Sequence, residues 1–286
     1  IKNINYFDAK ELIRKSFLDN IKLHLRSDVP IGVALSGGVD SSCIACAMRY
    51  LEPDLPIHTF TYSDENQNIN ETAWANIVNK HINAIPHYIH SSSINLINEL
   101  DNLVKTQGEP FGSTSIYAQY LIYKEAKKEG IVVSLDGQGG DEIFAGYDGY
   151  IGYRLYSLME ELNIFKALIF LFNWSIKPGN SLKKGIMEYG KITIPNSLYI
   201  KLRKQLGRDF KPDWINYGAI KNHNFRFEEI RDKFEYDYKK NRVKEKLYNS
   251  IKGRGLPGLL RIADRNSMNF SIESRMPFLT KKASYS

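Results

Sequence analysis

The chain has 286 residues, 43% of them hydrophobic, enough for one large or two modest domains around a real core. Basic residues exceed acidic ones to give a net charge of +7, which suits an anionic partner without choosing among a nucleotide, a nucleic acid and a membrane surface. No run approaches the roughly 18 uninterrupted apolar residues of a spanning helix; the longest candidate, Phe165 to Trp174, is interrupted by Lys166 and Asn173 and reads as a buried helix.

Ile1 to Asp8 lacks the basic, apolar and small-residue sections of a secretory signal, so a cytoplasmic location is expected. From Asp8 to Arg26, Ile13, Phe17, Ile21 and Leu25 recur every four positions, and Asp8 followed by Glu11 has capping-box spacing; this predicts an amphipathic helix. Ile31 to Leu35 is a short apolar run entering a glycine turn, after which Asp40 to Arg49 reads as a helix. Cys43 and Cys46 have C-x-x-C spacing, but they lie in an apolar stretch with no second pair to complete a zinc site, so a core role is expected for both. A strand is predicted at 57–62, a helix at 71–81, a shorter strand near 87–90, helices near 94–105 and 115–129, and a buried strand at 131–135. This alternation predicts an α/β fold, a twisted parallel sheet flanked by helices. Beyond Tyr147, spacing turns helical, punctuated by Pro178, Pro195, Pro212 and Pro257, and a mostly helical C-terminal part is expected. Basic residues look scattered; the densest stretch, Arg231 to Lys246, contains Glu235, Asp237 and Glu245 and reads as a solvated helix face.

Two glycine-rich segments carry chemistry. Ser36-Gly37-Gly38-Val39-Asp40-Ser41-Ser42 sits between an apolar strand and a helix. Its glycines allow a tight turn with exposed N–H groups, and the following helix adds positive potential at its N-terminus, so the loop is an anion cradle. A Walker loop has lysine then serine or threonine after its second glycine; Asp40 stands here instead, and a carboxylate beside phosphates needs an intervening cation, which points to Mg²⁺. The second segment, Asp136-Gly137-Gln138-Gly139-Gly140-Asp141-Glu142, follows a strand end, where ligands meet parallel sheets. Asp40 and Asp141, delivered by separate strand ends, are candidates to share metal ions that neutralise a departing pyrophosphate. Glu142 is either a supporting acid at the site or a first-turn acid suited to a helix N-terminus.

The first segment resembles the signature of the ATP-pyrophosphatases. The second resembles that of asparagine synthetases, as does Asp264-Arg265-Asn266-Ser267-Met268 followed by Glu273-Ser274-Arg275-Met276-Pro277-Phe278-Leu279. The matches run in order from about Phe7 to Leu279. The resemblance implies one synthetase domain over 1–286, with a nucleotide-binding core at 8–147 and a helical part at 148–286. It implies ATP and Mg²⁺ as cofactors, catalytic roles for Asp40, Asp141 and Glu142, and metal binding by Asp40 and Asp141. ATP contacts fall on Leu35, Ser36, Gly37, Gly38, Asp40, Ser41, Ser42, Thr61, Asp136 and Gly137. Glu109 and Ser113, in Gly108-Glu109-Pro110-Phe111-Gly112-Ser113, map to the acceptor side with Gln138 and Arg275, although Glu273 and Arg275 also read as a structural pair and the Pro-Gly segment as a simple turn.

The expected reaction adenylates the side-chain carboxylate of aspartate, or of another small carboxylate, and passes it to ammonia. In the family, ammonia comes from an N-terminal glutaminase domain and a later segment supplies a lysine that contacts the phosphates; these residues include neither. Gln138 stands where many members have glutamate, and Thr280 where aspartate is common. An amide cannot move a proton as an acid can, which keeps open a relative that amidates or cyclises a sugar acid, a peptide or a β-lactam precursor. A tRNA-modifying relative and a non-catalytic nucleotide binder are the remaining alternatives. No membrane partner is expected, a nucleic-acid partner is disfavoured, and homodimerisation is left open.

Overall fold

The computed structural model describes residues 4–63, 71–205, 216, 218, 234, 236–253 and 255–280. The chain forms two compact units, Ile1–Phe144 with Ser250–Ser286, and Ala145–Asn249.

The first unit holds a five-stranded, wholly parallel sheet in the order β3-β2-β1-β4-β5. Its strands are β1 (Ile31–Ala34), β2 (His58–Ser63), β3 (Ile85–His90), β4 (Val133–Leu135) and β5 (Glu273–Arg275). From β1 the chain winds outward through helix α2 (Val39–Leu51), β2, α3 (Glu71–Ile82) and β3. It then returns through α4 (Ser93–Gln107) and α5 (Ser115–Lys128) to place β4 on the other side of β1. Direction of winding reverses between β1 and β4, whose registers pair Gly32 with Ser134 and Val33 with Leu135. The turns leaving these two strands are therefore neighbours at the sheet's carboxyl edge, the usual ligand position in such folds.

Apolar side chains cover both sheet faces, with Val33, Leu35, Ile44, Met48 and Leu135 in one cluster and Phe60, Leu103, Tyr123, Ile131 and Ile272 in the other. Helix α1 (Tyr6–His24) closes the first cluster through fully buried Ile21 and a stack of Phe17 on Phe278, ring centroids 5.3 Å apart. Its cap is not the expected Asp8: Asn5 Oδ1 accepts from Asp8 N at 3.0 Å, so the cap lies three residues earlier and Asp8 falls within the first turn. The expected core role of the cysteines holds for one of the two: Ile44, Ala45, Ala47 and Met48 form the buried face of α2, half-buried Cys46 packs against the first cluster, and Cys43 is exposed, both as free thiols.

The chain re-enters this unit at Ser250. Helix α12 (Leu256–Asn269) leads into β5, so the sheet's fifth strand comes from the region expected to be mainly helical. Asn266 on α12 is fully buried and locks this return: its amide donates to Ile116 O and Gln119 Oε1, both 3.1 Å, and its carbonyl accepts from Gln107 Nε2 at 2.7 Å.

The second unit is helical in its described residues, with α7 (Tyr150–Glu160), α8 (Ile164–Ser175), α9 (Leu182–Thr193), α10 (Asn196–Gln205) and most of α11 (Arg242–Lys252). Gly152 lets α7 approach α9 closely; a β-carbon there would lie 2.6 Å from Glu188 O. The expectation that Phe165–Trp174 is a buried helix fails, because α8 buries one face on Ile151, Leu155 and Leu158 and leaves Phe165, Leu168, Ile169 and Phe172 exposed. The Arg231–Lys246 stretch is likewise no uniform solvated face. Residues 231–233 and 235 lie outside the described ones, and Arg242 is buried, bonded to Glu160 at 2.7 Å and Glu245 at 2.8 Å. Among the described residues, no helix is long and apolar enough to cross a membrane.

Candidate active site

Leu35 continues β1, its N–H donating to Phe60 O at 2.9 Å, and Thr61 Oγ1 donates to Leu35 O at 2.8 Å. Both residues are buried. Thr61, expected to contact the nucleotide, spends its hydroxyl on holding the end of β1 against β2. The chain then turns at Gly37, with φ +77°, where a β-carbon would lie 2.7 Å from Trp74 Cβ and 2.8 Å from Ala75 N. The first turns of α3 thus press on the loop and only glycine fits. Gly38 caps α2 without a side-chain hydrogen bond. Ser36 Oγ accepts from Gly38 N at 3.2 Å and lies 3.1 Å from Ser41 Oγ, while Ser41 Oγ donates to Gly38 O at 3.2 Å. The serines shape the loop, while Ser36 and Gly38 remain exposed at the N-terminus of a 13-residue helix, as an anion cradle requires.

The second loop closes on the first. A β-carbon at Gly137 would sit 3.3 Å from Asp40 Cβ and from Ser41 N, and one at Gly140 would fall on the Asp40 carboxylate itself. Asp40 therefore lies over the start of α6 (Gly140–Phe144), the helix that carries Asp141 and Glu142. Burial, then the negative charges of Asp141 and Glu142, push the Asp40 carboxyl above its usual range; burial and Glu142 do the same to Asp141. Glu142 is buried, whereas Asp40 and Asp141 are half-exposed.

Asp136 anchors the second loop rather than opening toward solvent. Its N–H donates to Arg275 O at 2.9 Å, Oδ1 accepts from Gln138 N at 3.2 Å, and Oδ2 accepts from Tyr123 OH at 3.3 Å; the Tyr123 hydroxyl is also 2.9 Å from Ser274 Oγ. Burial pushes the Asp136 carboxyl and the Tyr123 hydroxyl above their ordinary pKa values, so both hold their protons more tightly. Gln138 is half-buried beside this anchor.

The remaining candidates make contacts that hold the frame. Arg275 donates from Nη1 to His24 O at 2.6 Å and Arg26 O at 2.9 Å, and from Nε to Glu273 at 2.8 Å, so its guanidinium clasps the end of α1. Glu109 pairs with Arg261 at 2.7 Å and Arg265 at 2.9 Å, tying the loop before α5 to α12. Ser113 Oγ accepts from Ser115 N at 3.2 Å, bracing the turn that enters α5. That loop lies at the N-terminus of a helix leading into a parallel strand, hence at the sheet's carboxyl edge. Sequence reasoning did not single out Tyr123, Ser274 or Leu279 as supports of the second loop; Leu279 occupies the space a β-carbon would take at Gly139.

The residues fit Mg²⁺, a hard cation that prefers oxygen donors. Asp40 and Asp141 offer carboxylates, and the raised Asp40 carboxyl has only burial and other acids as its causes. Among the described residues no three His, Cys, Asp or Glu side chains form a ready-made metal cage.

A doubly wound parallel sheet with an anion cradle and paired acids at its switch point defines the class as a nucleotide-binding α/β domain of the ATP-pyrophosphatase type. The asparagine synthase family model matches residues 12–282, and the chain belongs to that family. Asparagine synthetase [glutamine-hydrolyzing] 1 of Bacillus subtilis is 28% identical over 279 residues, covering 94% of this chain and 42% of the relative. Asparagine synthetase B of Escherichia coli is 32% identical over 158 residues, covering 50% of this chain and 28% of the relative. The chain thus spans less than half the length of these curated relatives. Among solved structures, NH3-dependent NAD synthetase from Campylobacter jejuni aligns at 18% identity with a TM-score of 0.34, over 48% of this chain and 60% of that one.

Proposed function

We propose that the chain is the synthetase domain of an ATP-dependent amidoligase in the cytoplasm, which adenylates the side-chain carboxylate of aspartate and transfers ammonia to it, releasing asparagine, AMP and pyrophosphate. The observation that carries this reading is the seating of the Asp40 carboxylate against Gly140, which brings acids from two strand ends to one place beside an anion cradle.

In this reading the Ser36–Gly38 turn and the N-terminus of α2 receive the phosphates of ATP, and Asp40 and Asp141 hold Mg²⁺. The metal neutralises charge on the pyrophosphate as the bond to the α-phosphorus breaks. The acceptor carboxylate attacks that phosphorus, and ammonia then displaces AMP from the acyl adenylate. The protein's contribution is positioning and charge placement rather than covalent chemistry. In the family's full-length enzymes ammonia comes from a glutaminase domain; the present residues are proposed to use free ammonia.

Gln138 supports a second reading, a relative acting on another carboxylate, because a neutral amide stands beside the anchored Asp136 and cannot serve as a general base. ATP–pyrophosphate isotope exchange with Mg²⁺ separates the two. Exchange that depends on aspartate supports the first reading, exchange only with a sugar acid or peptide carboxylate supports the second, and exchange with no acid defeats both. Gly140→Ala places a methyl on Asp40 and is expected to slow exchange about 100-fold.

A further inference from the structure

Surface helices ordinarily carry one apolar stripe, but α8 carries two. Ala167, Phe170, Leu171 and Trp174, three and four residues apart, pack into the core of the second unit. Phe165, Leu168, Ile169 and Phe172 share the same spacing on another face and, with the C-capping Ile176, keep 58–82% of their surfaces exposed. A contiguous face of large apolar side chains marks an interaction surface.

The charge around it indicates the partner. Of the chain's 39 basic and 32 acidic residues, eight basic and one acidic fall between Asn163 and Gln205; this stretch holds the whole net charge of +7, and the rest balances at 31 of each sign. Basic residues read as scattered because they occur singly or in pairs; what sets this stretch apart is that Glu188 is its one acid. Lys166 and Lys177, near the two ends of α8, and Lys183 beyond it are exposed. A second copy of this chain would bring the same positive charge against itself, and a neutral apolar groove would leave the lysines without a counterpart.

A bilayer with anionic headgroups meets both features, since the acyl boundary accepts the apolar face while lysines reach up to the phosphates. We propose that α8 is an interfacial anchor by which the protein docks peripherally on an anionic membrane surface. With 12 residues the helix is about 18 Å long, too short to cross a bilayer, and it lies in the interface plane. This stands independently of the synthetase reading, and it revises the sequence-based expectation of no membrane partner.

Flotation of the full chain with vesicles tests it. Vesicles of phosphatidylcholine with roughly a third phosphatidylglycerol should carry the protein, pure phosphatidylcholine vesicles should carry much less, and salt should reduce binding. Phe165→Gln with Phe172→Gln should abolish flotation, and Lys166→Gln and Lys177→Gln should each weaken it about fivefold. All four positions are exposed, so an unchanged Tm verifies that the variants fold. The proposal is overturned by no flotation with either vesicle, by equal flotation with both, or by binding that the double phenylalanine variant leaves intact. A concentration-dependent dimer that this variant dissociates, without vesicle binding, would instead assign the face to a second copy.

Discussion

The side chain of Leu279 fills the space that a β-carbon would need at Gly139, and Gly139 itself has a φ of +94°. The end of the Asp264–Leu279 segment thus holds the turn of the second loop in a conformation that only glycine adopts without strain. Around that turn, Asp136 is fastened to β5, and Asp141 lies near enough to Asp40 for its charge to act on that carboxyl.

Gly139→Ala should therefore meet two obstacles, backbone strain and a clash with Leu279. The expected cost is about 2–3 kcal/mol, together with slowed ATP–pyrophosphate exchange. Leu279→Ala removes the clash but not the strain, so the two changes should couple. Thermal melts of the wild type, both single variants and the double variant measure this. Strictly additive effects would show that the contact does not hold the loop.

Asp40 sets a pH dependence of stability. Its carboxyl holds its proton more tightly in the fold than in the unfolded chain, because burial and then Asp141 and Glu142 disfavour the charge. Ionisation as pH rises through the raised folded value costs stability, and that cost is absent below the ordinary value of 3.8. Asp40→Asn should accordingly melt at a higher temperature than wild type at pH 7, with the gap closing as pH falls toward 4. The same variant should lose about 100-fold or more in adenylation. Equal melting temperatures across that pH range would remove the electrostatic account of Asp40.

Arg275 is expected to matter for folding more than for turnover. Its guanidinium bonds to two carbonyls at the end of α1 and to Glu273, linking β5 to that helix. Arg275→Ala should lower stability by about 2 kcal/mol and leave the KM for ATP unchanged below the transition. A raised KM at full folding would instead place this arginine in substrate binding.

Arg242 makes the corresponding prediction for the second unit. Its side chain, 7% exposed, lies between the carboxylates of Glu160 and Glu245, which are 12% and 3% exposed. Arg242→Ala leaves two largely buried acids without this partner and should cost about 3–5 kcal/mol in urea unfolding. A loss below about 1 kcal/mol, the range of surface pairs, would contradict the buried arrangement.

Most of the sheet and its flanking helices were readable from local pattern. Apolar runs at 31–35 and 131–135 contain the buried strands β1 and β4, though Val132 is exposed, because both faces of a parallel sheet are covered, and the glycine loops after them have a composition that few other structures need. Fine detail failed where neighbours in space decide. Asn5 caps α1 because its carbonyl reaches Asp8 N, and Asp8 then falls inside the helix it was expected to begin. Phe165–Trp174 reads as buried because an apolar run does not reveal how many of its faces will find a cover.

By itself the sequence determined the α/β class, the anion-cradling loop and the identity of the acids beside it, because strand periodicity, glycine turns and a missing Walker lysine are local facts. Only the tertiary structure decided which distant residues meet. It placed β5 next to β4 across more than a hundred residues, seated Asp40 on Gly140, and turned Thr61, Asp136 and Arg275 to holding the frame. Those outcomes depend on strand order and on hydrogen bonds between segments far apart in the chain, and neither is encoded in the spacing of neighbouring residues.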